Sequence, residues 1–257
     1  MDFVVIIPAR YASNRLPGKP LREMGGKPLI QYVFECAQQS GATQIVVATD
    51  DERIRKVAEG FGAPVCMTSP EHCSGTDRLA EVVVKLGFGD EQIVVNLQGD
   101  EPLVPATIIR QVAANLYAHT QASVATLCEP IKTADDLFNP NITKVLMDSQ
   151  GYALYFSRAP IPWCRSGFSN SQQQLPPDYS YYRHIGLYAY RADFLKTYVT
   201  WPVCYLEQAE SLEQLRVLWN GRKIHVAQAL ETPGPGVDTE EDITRVERLL
   251  SSRAHNL

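Results

Sequence analysis

Three cations fall within ten residues beside the first apolar run: Arg10, Arg15 and Lys19, in the segment Pro8-Ala9-Arg10-Tyr11-Ala12-Ser13-Asn14-Arg15-Leu16-Pro17-Gly18-Lys19-Pro20. Small residues and Gly18 let the backbone approach a ligand closely, and guanidinium and ammonium groups suit phosphate oxygens. The loop can therefore wrap a triphosphate. The bland alternative is basic decoration of an exposed loop, but a position at a strand end favours binding. A second segment, Asn96-Leu97-Gln98-Gly99-Asp100-Glu101-Pro102, places a carboxylate after another apolar run. Mg²⁺ is typically held by one or two carboxylates plus substrate phosphates, which makes Asp100 the first-choice metal ligand. Glu101 should point to the opposite face and remain solvated. Asp238, in Gly236-Val237-Asp238-Thr239-Glu240-Glu241-Asp242, is a second candidate ligand. An Asp ahead of an acidic first turn is equally what a helix N-terminus prefers.

The elements that must position these residues alternate in type. Phe3–Pro8, Gln44–Thr49 and Gln92–Leu97 are apolar at nearly every position, as strands buried on both faces are. Between them lie helical patterns: Leu29, Ile30, Val33, Phe34 and Ala37 after Pro28; Ile54, Val57, Ala58 and Phe61 after a cap at Asp50 or Asp51; and Leu79, Val82, Val83 and Leu86 from Thr76. This predicts an α/β fold with a mostly parallel, doubly wound, Rossmann-like sheet, whose ligands lie at the carboxyl ends of the strands. Beyond residue 120 the pattern is mixed α+β. Strands are expected at Ser123–Glu129, Thr143–Met147, Tyr152–Ser157, His184–Tyr190 and Lys223–Ala227. Helices are expected at Ala134–Phe138, Ala192–Val199, Leu206–Trp219 and Thr239–Ser252, with a long loop over Arg165–Tyr182.

Composition narrows the function. The chain has 257 residues, 45% hydrophobic, with a net charge of −5. That is globular composition without an electrostatic footprint for nucleic acid or anionic membrane. No apolar run is long enough for a membrane span. Six cysteines without a CxxC pair read as reduced, structural thiols in a cytoplasmic protein. GxGxxG is absent, and Gly25-Gly26-Lys27 is followed by Pro28 where a P-loop requires Ser or Thr, so it reads as a turn entering a helix.

Seven segments in order resemble the CMP-Kdo synthetases, the 3-deoxy-manno-octulosonate cytidylyltransferases: IIPARYASNRLPGKPL, SGTDRLAE at 74–81, VNLQGDEP at 95–102, YFSRAPIP at 155–162, RHIGLYAYR at 183–191, ESLEQLRVL at 210–218 and GVDTEED at 236–242. The resemblance spans nearly the whole chain; only 165–182 carries no recognisable pattern. It implies CTP and 3-deoxy-D-manno-octulosonate (Kdo) as substrates, CMP-Kdo and pyrophosphate as products, Mg²⁺ as cofactor, a place in lipopolysaccharide biosynthesis and a homodimer. It further implies that Pro8, Ala9, Arg10, Arg15, Lys19, Ser74, Gly75, Arg78 and Asp100 meet the nucleotide, and that Asp100 and Asp238 hold the metal. Arg10, Lys19, Asp100 and Asp238 are the implied catalytic set. Gln98, Arg158, His184, Tyr188, Glu213 and Gln214 match the sugar positions, with Arg158 suited to a carboxylate and the others to hydroxyls. On residue type alone each of these six is more often structural, and Glu213-Gln214 reads as a solvated helix face. A cytidylyltransferase for a sialic acid or an amino-substituted Kdo, and a metal-dependent glycosyltransferase, are the competing expectations. The whole chain is read as a single domain, with 1–120 mainly nucleotide-binding and 121–230 mainly sugar-binding and dimerising.

Overall fold

The computed structural model describes residues 1–12, 16–72, 74–168 and 174–254. In chain order its elements are β1 (Phe3–Ala9), a 3-10 turn (Lys19–Leu21), the hairpin strands β2 (Glu23–Met24) and β3 (Lys27–Pro28), α1 (Leu29–Gln39), β4 (Gln44–Thr49), α2 (Glu52–Gly60), β5 (Val65–Met67), α3 (Gly75–Lys85), β6 (Ile93–Asn96) and α4 (Ala106–Ala118). The remainder comprises β7 (Ala122–Pro130), α5 (Ala134–Phe138), β8 (Lys144–Met147), β9 (Ala153–Ser157), β10 (Tyr182–Arg191), α6 (Ala192–Tyr198), α7 (Tyr205–Glu210), α8 (Leu215–Trp219), β11 (Lys223–Gln228) and α9 (Glu240–Ala254).

The main sheet runs β11-β7-β10-β6-β1-β4-β5, with β8 paired to β10 and β9 to β8. β1 is parallel to β4 and β6, β4 to β5, and β11 to β7, whereas β10 is antiparallel to both β6 and β7. The unbroken apolar run of β1 reflects burial on both faces. Val5 and Ile7 pack with Ile30 and Val33 of α1, Ile54 of α2, and Ile108 and Val112 of α4. Val4 and Ile6 face Leu79, Val82 and Val83 of α3 and Phe194 and Leu195 of α6. Each such side chain, fully removed from water, contributes roughly 1.5–3 kcal/mol before entropy is counted. A third cluster, Met24, Leu29, Leu103, Val237, Ile243 and Val246, fastens α9 beside the end of β6.

Most expected elements are present; the short strands β2, β3 and β5 are additional, and two helical regions differ. The expected helix Leu206–Trp219 is two helices, α7 and α8, broken at Ser211, which adopts a left-handed conformation (φ 52°). The break has a physical cause: Arg158 Nε donates to the Glu210 carbonyl at 2.6 Å, so a carbonyl at the end of α7 is capped from outside the helix. The helix α4 is additional, and its buried Ile108, Ile109, Val112, Ala113 and Leu116 form one stripe.

One backbone contact sets the spacing of the strand ends. A Cβ on Gly99 would lie 2.7 Å from the Pro8 carbonyl oxygen, so only glycine lets the turn after β6 close against β1. Gly99→Ala is expected to cost about 1–3 kcal/mol of stability, read as a lower urea midpoint with unchanged slope. An unchanged midpoint would mean that the strand ends separate freely.

Candidate functional site

The carboxyl ends of β1 and β6, the 3-10 turn and the N-terminus of α3 enclose a cavity of about 560 Å³. β1 contributes Pro8, Ala9 and the exposed Arg10. Lys19, on the 3-10 turn, donates to Asp100 Oδ2 at 2.6 Å and to Asp238 Oδ1 at 3.1 Å. Two carboxylates separated by most of the chain thus reach one positive charge. Helix capping does not account for the Asp238 side chain. The Thr239 hydroxyl accepts from Asp242 N, and the Asp242 carboxylate accepts from the backbone N–H groups of both Asp238 and Thr239. That reciprocal pair caps α9 one residue further on.

Glu101 departs from the solvated placement expected of it. Burial, reinforced by the charges of Asp100 and Asp238, pushes its carboxyl up to about 7. Two oxygen-donor carboxylates reaching a common cationic atom fit a hard divalent ion. Among the described residues no group of three or more His, Cys, Asp or Glu side chains could hold a metal by itself, so phosphate and water oxygens have to complete such a site.

The opposite wall is the first turn of α3. Ser74 caps it by accepting from Asp77 N at 3.1 Å, while the Asp77 carboxylate accepts from Ser74 N at 3.2 Å. This capping box fixes Ser74 and Gly75 at the cavity wall with the positive end of the helix dipole behind them. Arg78, also in the wall, is buried; it donates to the Thr68 hydroxyl and lies 3.5 Å from Asp50. His72 lines the cavity as well and was absent from the sequence expectations. Its Nε2 lies 2.5 Å from Glu81 Oε2. Partial burial works against the Glu81 charge, yet Lys85, the Ser69 N–H and His72 together hold that carboxyl at about 2. The signal was available: His72 is two residues before the SGTDRLAE segment, and Glu81 closes that segment.

Gln98 and Glu213 line the same cavity. Of the other expected sugar residues, His184, Tyr188 and Gln214 lie behind that lining. His184 bonds through Nε2 to the Thr126 hydroxyl at 2.9 Å, and burial pushes its imidazole down to about 3, so it is neutral near pH 7. Its ring packs 5.2 Å from that of Tyr188, whose phenol burial pushes well above its ordinary value. Gln214 is buried at the start of α8. Arg158 is also outside the lining, and its guanidinium is taken up by main-chain carbonyls: Nε donates to Glu210 O at 2.6 Å, Nη1 to Pro140 O at 3.0 Å and Nη2 to Ser211 O at 3.5 Å. Arg15 lies outside the described residues.

A doubly wound sheet, basic groups at the end of its first strand, a capped helix N-terminus and two carboxylates, one after a central strand and one at the entry to α9, meeting one lysine, define a nucleotidyltransferase. The family model described as Cytidylyltransferase matches residues 4–224. A 3-deoxy-manno-octulosonate cytidylyltransferase from Pseudomonas fluorescens is 59% identical over 250 residues, covering 97% of this chain and 98% of that protein. One of the same name from Pseudomonas syringae pv. tomato is 58% identical over the same shares. The solved structure of CMP:2-keto-3-deoxy-manno-octonic acid synthetase complexed with CTP superposes with a TM-score of 0.90 at 41% identity, covering 98% of this chain and 100% of that one. A nucleotidyl transferase from Methanothermobacter, at 15% identity and a TM-score of 0.61, shares the fold. The chain belongs to the cytidylyltransferase family, and within it to the 3-deoxy-manno-octulosonate cytidylyltransferases.

The bonds of Arg158 have a measurable consequence. Arg158→Ala removes charged donors from the α7–α8 junction and is expected to lower stability by about 1–3 kcal/mol in chemical denaturation. Native stability combined with a raised KM for an acidic sugar would instead assign the guanidinium to the substrate.

Proposed function

We propose that the chain transfers CMP from CTP to 3-deoxy-D-manno-octulosonate, releasing CMP-Kdo and pyrophosphate for lipopolysaccharide biosynthesis, with Mg²⁺ as cofactor. The observation that carries this reading is the cavity joining Lys19, Asp100 and Asp238 on one side to the α3 N-terminus on the other, in a chain 59% identical to enzymes of that name. The anomeric oxygen of Kdo forms a bond to the α-phosphorus as the α–β anhydride bond breaks. The hydroxyl loses its proton, and pyrophosphate leaves with the electron pair. No covalent enzyme intermediate is needed, so positioning and charge neutralisation supply most of the rate.

In this reading Arg10, Lys19 and the backbone at Pro8 and Ala9 hold the triphosphate, with Arg15 assigned to the same loop. Ser74, Gly75 and Arg78 face the nucleoside side. Asp100 and Asp238 would hold Mg²⁺, which would supply charge neutralisation on the phosphate oxygens. Gln98 and Glu213 meet the sugar, with His184, Tyr188 and Gln214 supporting that wall. Arg158 serves the sugar side through the loop it braces. Residues 1–120 are assigned mainly to the nucleotide, in keeping with a lining drawn chiefly from residues 8–100, and 121–230 mainly to the sugar and to a homodimer contact. A cytoplasmic setting is supported by free thiols at Cys66, Cys128, Cys164 and Cys204 among the described residues.

Pyrophosphate release from CTP, Kdo and Mg²⁺ tests the activity directly, and its absence would end the proposal. Asp100→Asn is expected to lower kcat by about a hundredfold or more, as loss of charge stabilisation in the transition state does. Near-native turnover of that variant at saturating Mg²⁺ would remove Asp100 from the metal site. EDTA is expected to abolish turnover and added Mg²⁺ to restore it.

A further inference from the structure

Thr76 has no assigned part in the site, yet it links the two walls of the cavity. It is 1% exposed, in the first turn of α3, directly after Ser74 and Gly75. Its Oγ1 donates to Glu213 Oε1 at 2.7 Å, across 137 residues of sequence. Glu213 lines the cavity from the α7–α8 junction, whose main chain is held elsewhere: the Tyr198 hydroxyl donates to Glu213 O at 3.2 Å, and Arg216 N donates to the same oxygen at 3.1 Å. These bonds fix the Glu213 backbone. Among the described residues, the hydrogen-bond donor to its carboxylate is Thr76.

We propose that Thr76 is a positioning residue: its hydroxyl fixes the Glu213 carboxylate against the N-terminal turn of α3, so that the group meeting the sugar hydroxyls and the turn facing the nucleotide hold one relative placement. The inference rests on Glu213 being a sugar contact, as proposed above. A carboxylate with several rotamers presents its oxygens to a polyol productively only in a few of them, and a short bond from a buried hydroxyl selects one set. The electrostatic surroundings give that hydroxyl weight. Burial raises the Glu213 carboxyl above its ordinary range; the Thr76 bond opposes the rise, Asp77 and Glu207 add to it, and Arg216 opposes it. The phenols of Tyr188, Tyr190 and Tyr198 all interact electrostatically with the same carboxylate. Thr76 therefore favours the ionised, acceptor form of Glu213 as well as its orientation.

The test compares T76V, T76S and E213Q in the full-length enzyme with CTP, Mg²⁺ and Kdo. T76V keeps the side-chain volume and is expected to raise KM for Kdo roughly tenfold or more through loss of one donor to a carboxylate, with CTP affinity measured without sugar unchanged. T76S retains the hydroxyl and is expected to restore KM. Removing the donor should also move the acidic limb of the kcat/KM profile for Kdo to higher pH in T76V and not in T76S, a response that packing alone does not produce. E213Q separates the two levels of inference. A native KM for Kdo in E213Q overturns the reading of Glu213 and the role of Thr76 with it. A raised KM in E213Q beside native kinetics in T76V overturns the role of Thr76 alone, as does a T76S variant no better than T76V. Should T76V fail to fold, T76A carries the same expectation against T76S.

Discussion

The Lys19 ammonium between Asp100 and Asp238 is the interaction on which the arrangement of the site depends. It ties the turn after β1, the turn after β6 and the entry to α9 to a single point, across separations of 81 and 219 residues. The two carboxylates repel each other, and Glu101 beside them is raised to about 7, chiefly by burial with their charges adding to it. One lysine only partly offsets this. Such a site suits a ligand that brings phosphates and a divalent cation together, since either alone would leave the balance uneven. The backbone follows the same constraint: Val237 N donates to the Asp100 carbonyl at 2.9 Å, and Gly99 permits β6 to turn against Pro8.

The fold was legible where burial on both faces leaves an unbroken apolar run. β1 and β4 follow the sequence pattern almost to the residue, and so does α5. The helix α4 was missed, although its apolar stripe follows Pro105 at the spacing of a buried helix. The break at Ser211 was not legible, because nothing local ends α7 there. No glycine or proline marks the position, and the residue that caps the helix, Arg158, is 52 positions away on the strand side of the molecule. Local propensity carries no record of a tertiary cap. In the site, the phosphate loop and the acidic turn after β6 were legible because they combine a charge with a glycine at a strand end. The pairing of Lys19 with two carboxylates, the partnership of His72 with Glu81, and that of Thr76 with Glu213 all depend on which distant segments the sheet order brings together.

The same sheet order explains the difference between the two sides of the cavity. The side proposed for the nucleotide is built at the ends of parallel strands, where loops and a helix N-terminus offer exposed charge and backbone N–H groups. The side proposed for the sugar backs onto β10, the antiparallel strand inserted between β6 and β7, half of whose residues are buried. Burial there selects against charge: His184 is held neutral, and the phenols of Tyr188 and Tyr190 are held protonated. A wall of neutral donors and acceptors distinguishes hydroxyl patterns without drawing phosphates away from the cationic side. Glu213 is the exception, a carboxylate that lines the cavity and accepts a hydrogen bond from α3. Burial raises it above its ordinary range, and the Thr76 bond and Arg216 oppose that rise. In the proposed reading the two tasks are thus separated by strand direction, charge neutralisation at the parallel ends and hydroxyl recognition over the antiparallel strand, with the buried Thr76 hydroxyl bonded across to Glu213 where they meet.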